Sequence, residues 1–231
     1  MSRRSWRRYG SFRSRCKGTW KAADVMQEQP VNIPCPICSV EGKLRMVANV
    51  DEIPYFGEHT QVTVMCHACG WRQTDFIPAE GKKAGAWSLV LDDSEKLRSR
   101  VVRSSSCTVR IPELDLEVMP GTNSTGYVSN IEGVLNRFVD IINMVRRDVE
   151  RDLTADSGDS EENANALNTL DGLLKSIEQA GEESVFTVDF LDPHGHSMIL
   201  DQDAVERELT EDELAELPIG PDPAVFSSDD I

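Results

Sequence analysis

Apolar positions follow two rhythms along this chain, and the change from one to the other marks its architecture. Ile131, Val134, Leu135, Phe138, Ile141, Ile142, Val145 and Val149 fall at offsets 0, 3, 4, 7, 10, 11, 14 and 18. That is one face of a 3.6-residue helix. Ser129 with Glu132 three positions later predicts a capping box at its start. A second stripe, Leu167, Leu170, Leu174 and Ile177, ends at Gly181, a residue suited to stopping a helix. The polar link over 154–159 is short enough to make the two helices antiparallel neighbours. The pattern therefore predicts a helical hairpin at about 129–181, its stripe used for packing within the pair. Elsewhere the period is two. Segments 44–50 and 59–65 read as strands joined around Pro54 and Gly57, and further strands are predicted at 87–91, 100–103, 107–111, 114–118 and 185–191. Residues 204–217 predict a terminal helix capped by Thr210 with Glu213, and the Pro-rich stretch after Pro218 predicts disorder.

Composition narrows the classes. The chain has 231 residues, 39% hydrophobic and only 6% aromatic, so its core leans on Val, Leu and Ile. No apolar run reaches the ~18 residues of a membrane span. With 24 Lys and Arg against 40 Asp and Glu, the formal charge is −16, which opposes general binding to nucleic-acid phosphates. The charge is uneven: residues 1–25 carry eight cations and one anion, leaving 16 cations and 39 anions over 26–231, a balance of −23. The head lacks the apolar core of a secretory signal. It could serve organelle import or RNA binding, but the simpler expectation is that translation starts at Met26. The leader 1–29 is then disordered or misassigned. The acidic, Lys-poor remainder suits a halophilic cytoplasm, where molar salt shortens the Debye length to roughly 3 Å and removes the self-repulsion.

The cysteines carry the clearest chemistry. Cys35-Pro-Ile-Cys38 and Cys66-His-Ala-Cys69 are two Cys-x-x-Cys knuckles with 27 residues between them. Each knuckle aims two thiolates at a common centre, and two complete the tetrahedral shell of one Zn2+ with no position left for water or substrate. The intervening strands make this a four-cysteine zinc ribbon over 30–79, with a structural metal; iron on the same four thiolates remains the alternative. Gly70 is expected to turn with positive φ. His67, inside the second knuckle, is not needed as a ligand. Cys107 has no neighbouring base in sequence and reads as a buried strand thiol.

The same residues carry a family resemblance. Ile53-Pro54-Tyr55-Phe56-Gly57-Glu58 ahead of Cys66-His67-Ala68-Cys69-Gly70-Trp71 resembles the ZPR-type zinc-finger family. Three more blocks agree in order: Arg110-Ile111-Pro112-Glu113-Leu114-Asp115-Leu116-Glu117; the Gly-containing turn 121–126 with Ser129-Asn130-Ile131-Glu132-Gly133-Val134-Leu135; and 186–197, Phe-Thr-Val-Asp-Phe-Leu-Asp-Pro-His-Gly-His-Ser. The single zinc module is similar to the short, archaeal-type members. The resemblance implies a mainly β fold with an α insertion: the zinc ribbon, then a double-stranded β-helix-like domain over 80–202 carrying the helical hairpin, then an acidic C-terminal segment, 203–231. It also implies a cytoplasmic, non-enzymatic chaperone-type factor whose partner is the translation elongation factor one-alpha GTPase.

Contact residues for such a partner are read as Tyr55, Phe56 and Trp71, since aromatics dominate interface hot spots, although the same rings could fill the ribbon's small core. Glu113, Asp115 and Glu117 alternate after Pro112 and are expected to share one face, as a contact surface or a solvated one. Two alternatives stand beside the chaperone. Lys43, Arg45 and Arg72 would support a nucleic-acid-binding ribbon of the transcription or translation machinery. His194 and His196 would support a cupin-like metalloprotein, although the resembling family usually has Asn at the second position and no third ligand follows. No phosphate loop or activated nucleophile is visible.

Overall fold

The computed structural model describes residues 28–79, 83–121, 123–154 and 160–218. The basic head up to residue 27, the interhelical residues 155–159 and the tail after Pro218 lie outside the described residues, as does Thr122 in the Gly-containing turn.

The first sheet is antiparallel with strand order β1-β2-β3-β4, formed by β1 (Gln29–Val31), β2 (Leu44–Ile53), β3 (Gly57–Cys66) and β4 (Arg72–Pro78). β2 and β3 pair along their full length, from Leu44 opposite Cys66 to Ile53 opposite Gly57. The Val and Thr residues of β3 suit such a pleated, half-buried ribbon. Its tip is a tight turn in which the Phe56 N–H donates to Ile53 O at 2.9 Å. Tyr55 occupies that turn at φ +76°, a conformation that costs a bulky residue of order 1 kcal/mol or more.

Two further sheets enclose the main core. One has order β12-β5-β10-β7-β8, from β5 (Gly85–Leu91), β7 (Thr108–Ile111), β8 (Leu116–Val118), β10 (Phe186–Asp192) and β12 (Val205–Glu208). The other has order β11-β6-β9, from β6 (Arg100–Arg103), β9 (Tyr127–Asn130) and β11 (Met198–Leu200). Leu89, Val101, Val109, Val188, Phe190 and Ile199 from these strands merge into one buried cluster. The helical hairpin, α1 (Ile131–Thr154) and α2 (Ser160–Glu178), adds Ile131, Val134, Leu135, Phe138, Ile142 and Ile177 to it. Only the first half of the α1 stripe is so covered. Ile141 and Val145, on the same predicted face, are 40% and 42% exposed, because a 24-residue helix, about 36 Å long, outruns the sheets beneath it.

The structure alters several local expectations. Helix α1 is capped by Asn130, whose side-chain oxygen accepts from the Gly133 N–H at 2.9 Å. Ser129 sits one residue too early, held in β9 opposite Val101. The expected strand 114–118 begins only at Leu116: Pro112–Leu114 form a 3-10 turn and Asp115 is left-handed at φ +52°. Proline's fixed φ suits the first position of such a turn. The expected helix over 204–217 is a strand, β12, followed by the short helix α3 (Glu211–Glu216), which carries the anticipated Thr210–Glu213 capping box. β12 pairs antiparallel with β5, and Leu209 and Leu217 pack with Ala86 and Leu191.

Candidate metal centre and its surroundings

Each cysteine knuckle is built by the same backbone device. In the first, the Ser39 N–H donates to Cys35 O at 2.9 Å; in the second, the Gly70 N–H donates to Cys66 O at 2.9 Å. Both turning residues are left-handed, Ser39 at φ +58° and Gly70 at φ +78°. Glycine adopts this conformation without penalty, which made Gly70 readable in sequence. Ser39 carries no such signature in the sequence.

The two loops bring four sulfurs together. Cys35 Sγ lies 3.7 Å from Cys69 Sγ and Cys38 Sγ 3.8 Å from Cys66 Sγ. All four lie within 4.8 Å of one another. A tetrahedron with Zn–S near 2.3 Å has edges of about 3.8 Å, so the donor set fits zinc and can hold one ion with every position filled. When bound, the metal supplies cross-linking of the two knuckles and charge for four crowded thiolates. The need for that charge shows in the sulfurs themselves. The backbone N–H of Cys69 leads the groups that hold the Cys66 thiol down at about 7. At Cys69 the Trp71 N–H favours the thiolate, yet burial and the other three sulfurs push the thiol up to about 12. A dication removes that conflict. Around the sulfurs, Val31, Leu44, Met46, Val64 and Trp71 form a small apolar cluster.

The structure separates the residues expected to form one contact surface. Trp71 packs beside the cysteines and its indole N–H donates to Asn123 Oδ1 at 3.0 Å. Tyr55 and Phe56 are at the other end of β3, whose ten residues span about 30 Å. Tyr55 is 74% exposed, with the Arg100 guanidinium 4.8 Å from its ring centre; Phe56 is half-buried. The three carboxylates do not share a face as expected. Glu113 accepts from the Thr187 N–H (2.9 Å) and hydroxyl (2.8 Å), Glu117 pairs with Arg110 at 2.9 Å, and Asp115 is exposed in its left-handed turn. Of the ribbon cations, Arg45 and Arg72 flank Met65 across three paired strands, with Lys43 just before β2. His67 is exposed. Cys107 is fully buried immediately before β7, and burial is the first cause that pushes its thiol up to about 12, an inert thiol.

His194 and His196 have ring centres 5.7 Å apart. Among the described residues, only the four cysteines bring three or more metal-ligating atoms within 4.8 Å of one another.

The feature that sequence reading missed is a buried serine strip. Ser104, Ser105 and Ser106 are at most 1% exposed and lie between two buried carboxylates. Asp192, on β10, accepts from the hydroxyls of Ser104 (2.7 Å), Ser106 (2.7 Å) and Ser197 (2.6 Å) and from the His194 N–H (3.0 Å). Burial raises its pKa, but these donors outweigh that and hold the carboxyl below its ordinary value. Asp75, on β4 of the ribbon, accepts from the Ser105 N–H (2.9 Å) and hydroxyl (2.6 Å). Beside it the Gly126 N–H donates to Thr74 O at 2.7 Å, and Thr125 Oγ1 both accepts from and donates to the Thr74 backbone. The ribbon is thus fastened to the β core through buried polar contacts. A run of serines reads as a loop in sequence, and nothing local reveals that two distant aspartates face it.

Known proteins agree with this architecture. Residues 95–216 match the ZPR1 jelly-roll domain model. An uncharacterized ZPR1-like protein of Pyrococcus horikoshii is 35% identical over 214 residues, covering 91% of this chain and 92% of that protein. Zinc finger protein ZPR1 of Mus musculus is 28% identical over 195 residues, 81% of this chain and 39% of that protein. The zinc finger chaperone zpr1 of Schizosaccharomyces pombe is 32% identical over 111 residues, 46% of this chain and 23% of that protein. With the jelly-roll match spanning more than half its length and a full-length archaeal relative beside it, the chain belongs to the ZPR1 zinc-finger family.

Proposed function

We propose that this chain is a non-enzymatic, zinc-structured binding factor of the chaperone type, working in the cytoplasm on the translation elongation factor one-alpha GTPase. The observation that carries the reading is the closed four-sulfur site at Cys35, Cys38, Cys66 and Cys69. A metal with all positions filled by protein cannot receive substrate, so its work is to rigidify a surface. The name of the fission-yeast relative, a zinc finger chaperone, supports the class. We take the ribbon as 30–79 and the β-helix-like domain as 80–202, with the exposed Tyr55 and the adjacent Phe56 as contact residues. Trp71 is the weaker contact because it is already engaged. Glu113 is tied to Thr187 and contributes less than the free-standing Asp115.

The test is co-elution of residues 26–231 with the organism's own elongation factor one-alpha, at the salt level of its cytoplasm, with metal read in the same peak. The reading expects a complex with about one zinc per chain, lost with the metal in Cys66→Ser. A zinc-loaded chain that forms no complex overturns the partner, and Cys66→Ser that keeps its full metal content overturns the closed site. One observation favours nucleic acid instead: the alignment of Arg45 and Arg72 across Met65. RNA affinity that falls steeply with salt would support that alternative.

A further inference from the structure

A 320 Å³ pocket opens between the β sheets and helix α1, away from the cysteines. Its floor is apolar, with Val118, Val134 and Phe138, and Met119 stands at the rim, 59% exposed. In a chain with 40 Asp and Glu, none of the described residues lining this pocket is acidic, while two are arginines, Arg103 and Arg137. Arg103 is only 6% exposed. Its guanidinium donates to Ser124 Oγ (2.9 Å), Thr125 O (3.3 Å) and Cys107 O (2.5 Å), all neutral acceptors. That uses three of its five N–H groups. Arg137 donates to Gly133 O at 2.9 Å and stacks 3.7 Å from the Tyr127 ring centre, while Arg103 lies 5.8 Å from the same ring. Among the described residues neither arginine makes an ion pair. Burial holds the Tyr127 phenol above its ordinary pKa despite both cations, so the ring between them is neutral.

A buried guanidinium whose hydrogen-bond acceptors are all neutral keeps unused N–H donors in a poorly solvated place, and an anion arriving beside it gains more than it would at the surface. Stacking on Tyr127 adds definition by holding the second guanidinium over the pocket. The volume is at the small end of ligand pockets, about enough for one large apolar side chain with a carboxylate next to it. Methionine at the rim adapts to varied side chains.

We propose that this pocket receives an acidic–apolar segment of a partner polypeptide, its apolar side chain on Val134 and Phe138 and its carboxylate between Arg103 and Arg137. This rests on the reading of the chain as a protein-binding factor and assigns that factor a contact point distinct from the ribbon tip.

The test uses the full chain, zinc-loaded and labelled with 13C at methionine methyls. It is titrated at fixed ionic strength with the blocked tetrapeptide glycyl-phenylalanyl-aspartyl-glycine and with its asparaginyl counterpart. The Met119 methyl resonance should shift saturably with the aspartyl peptide and bind the asparaginyl one about 10-fold more weakly, the loss of roughly one charged contact. Arg137→Glu, at an exposed position, should weaken the aspartyl peptide by about 10-fold or more, and Arg137→Lys should restore part of that. A Met119 signal unmoved up to about 10 mM peptide, or equal binding of the two peptides, overturns the proposal. Tighter binding of free 3-phenylpropanoate than of either peptide overturns the polypeptide assignment. Peptide binding without an elongation-factor complex leaves the pocket standing and removes the partner. The converse, a complex unaffected by Arg137→Glu with no peptide binding, removes the pocket alone.

Discussion

Asp75→Ala should loosen the ribbon from the β core, and the cost follows from the groups it strands. Asp75 is 5% exposed and Ser105, its partner, is wholly buried. Truncation removes the acceptor for both the Ser105 N–H and the Ser105 hydroxyl, and the nearby Phe76 N–H, its third donor, lies in a half-buried residue. A buried donor without a partner costs about 1–3 kcal/mol, so two of them set the loss at about 2–6 kcal/mol. Asp75→Asn keeps the shape, offers its carbonyl to the Ser105 N–H and turns its amide toward the hydroxyl oxygen, and should cost about 1–2 kcal/mol. The assay is urea unfolding of both variants with zinc in excess. At a slope of about 2 kcal/mol per molar, the alanine variant's midpoint should fall by about 1–3 M. Amide hydrogen exchange over 74–76 and at Gly126 should accelerate before the rest of the β core opens. An alanine variant within about 1 kcal/mol of the parent, or an asparagine variant as damaging as alanine, would refute the account of Asp75 as the acceptor that joins the two parts.

Other outcomes follow from single positions. A Cβ at Gly126 would stand 2.8 Å from Asp75 Oδ1 and 3.1 Å from Arg103 O, so Gly126→Ala should destabilise by about 1–3 kcal/mol. Gly172→Ala, in α2 with nothing within 4 Å, should stabilise by about 0.5–1 kcal/mol in the same melts. Tyr55→Gly relieves a left-handed tyrosine, so it should raise stability by about 1 kcal/mol while weakening any complex that uses the exposed ring. The Arg207 fork, at 2.6–2.7 Å, is the first cause that lowers Glu213 from 4.5 to about 2. The pair's stabilisation is therefore complete above about 4.5 and lost as pH falls through about 2. Glu213→Gln should flatten that part of the stability–pH curve, and an unchanged curve would remove the pair from the account.

How much was legible in the sequence depended on the range of the interaction. The cysteine knuckles were readable because a tetrahedral ion imposes local spacing on its ligands, and the hairpin and seven of the described strands because burial of one face imposes a period; β1, β4, β9 and β11 were not read from the sequence. The Thr210–Glu213 box is likewise contained within four residues. β12 was hidden because Val-Glu-Arg-Glu is exposed throughout and is a strand only by backbone pairing to β5. Ser39 was hidden because serine has no marked preference for the left-handed conformation that its N–H bond to Cys35 O requires here.

By itself, then, the sequence determined which four cysteines can hold a zinc ion, most of the longer strands and the two amphipathic helices, all consequences of spacing along the chain. The tertiary structure alone decided that one serine strip meets two distant aspartates, Ser105 bonding Asp75 and its neighbours Ser104 and Ser106 bonding Asp192. It alone decided that Arg103 and Arg137 share one aromatic ring, and that Tyr55 and Trp71 stand at opposite ends of the ribbon. Each of these is a meeting of residues from separate elements, created when the ribbon and the sheets dock, and no periodic pattern along a single segment records it.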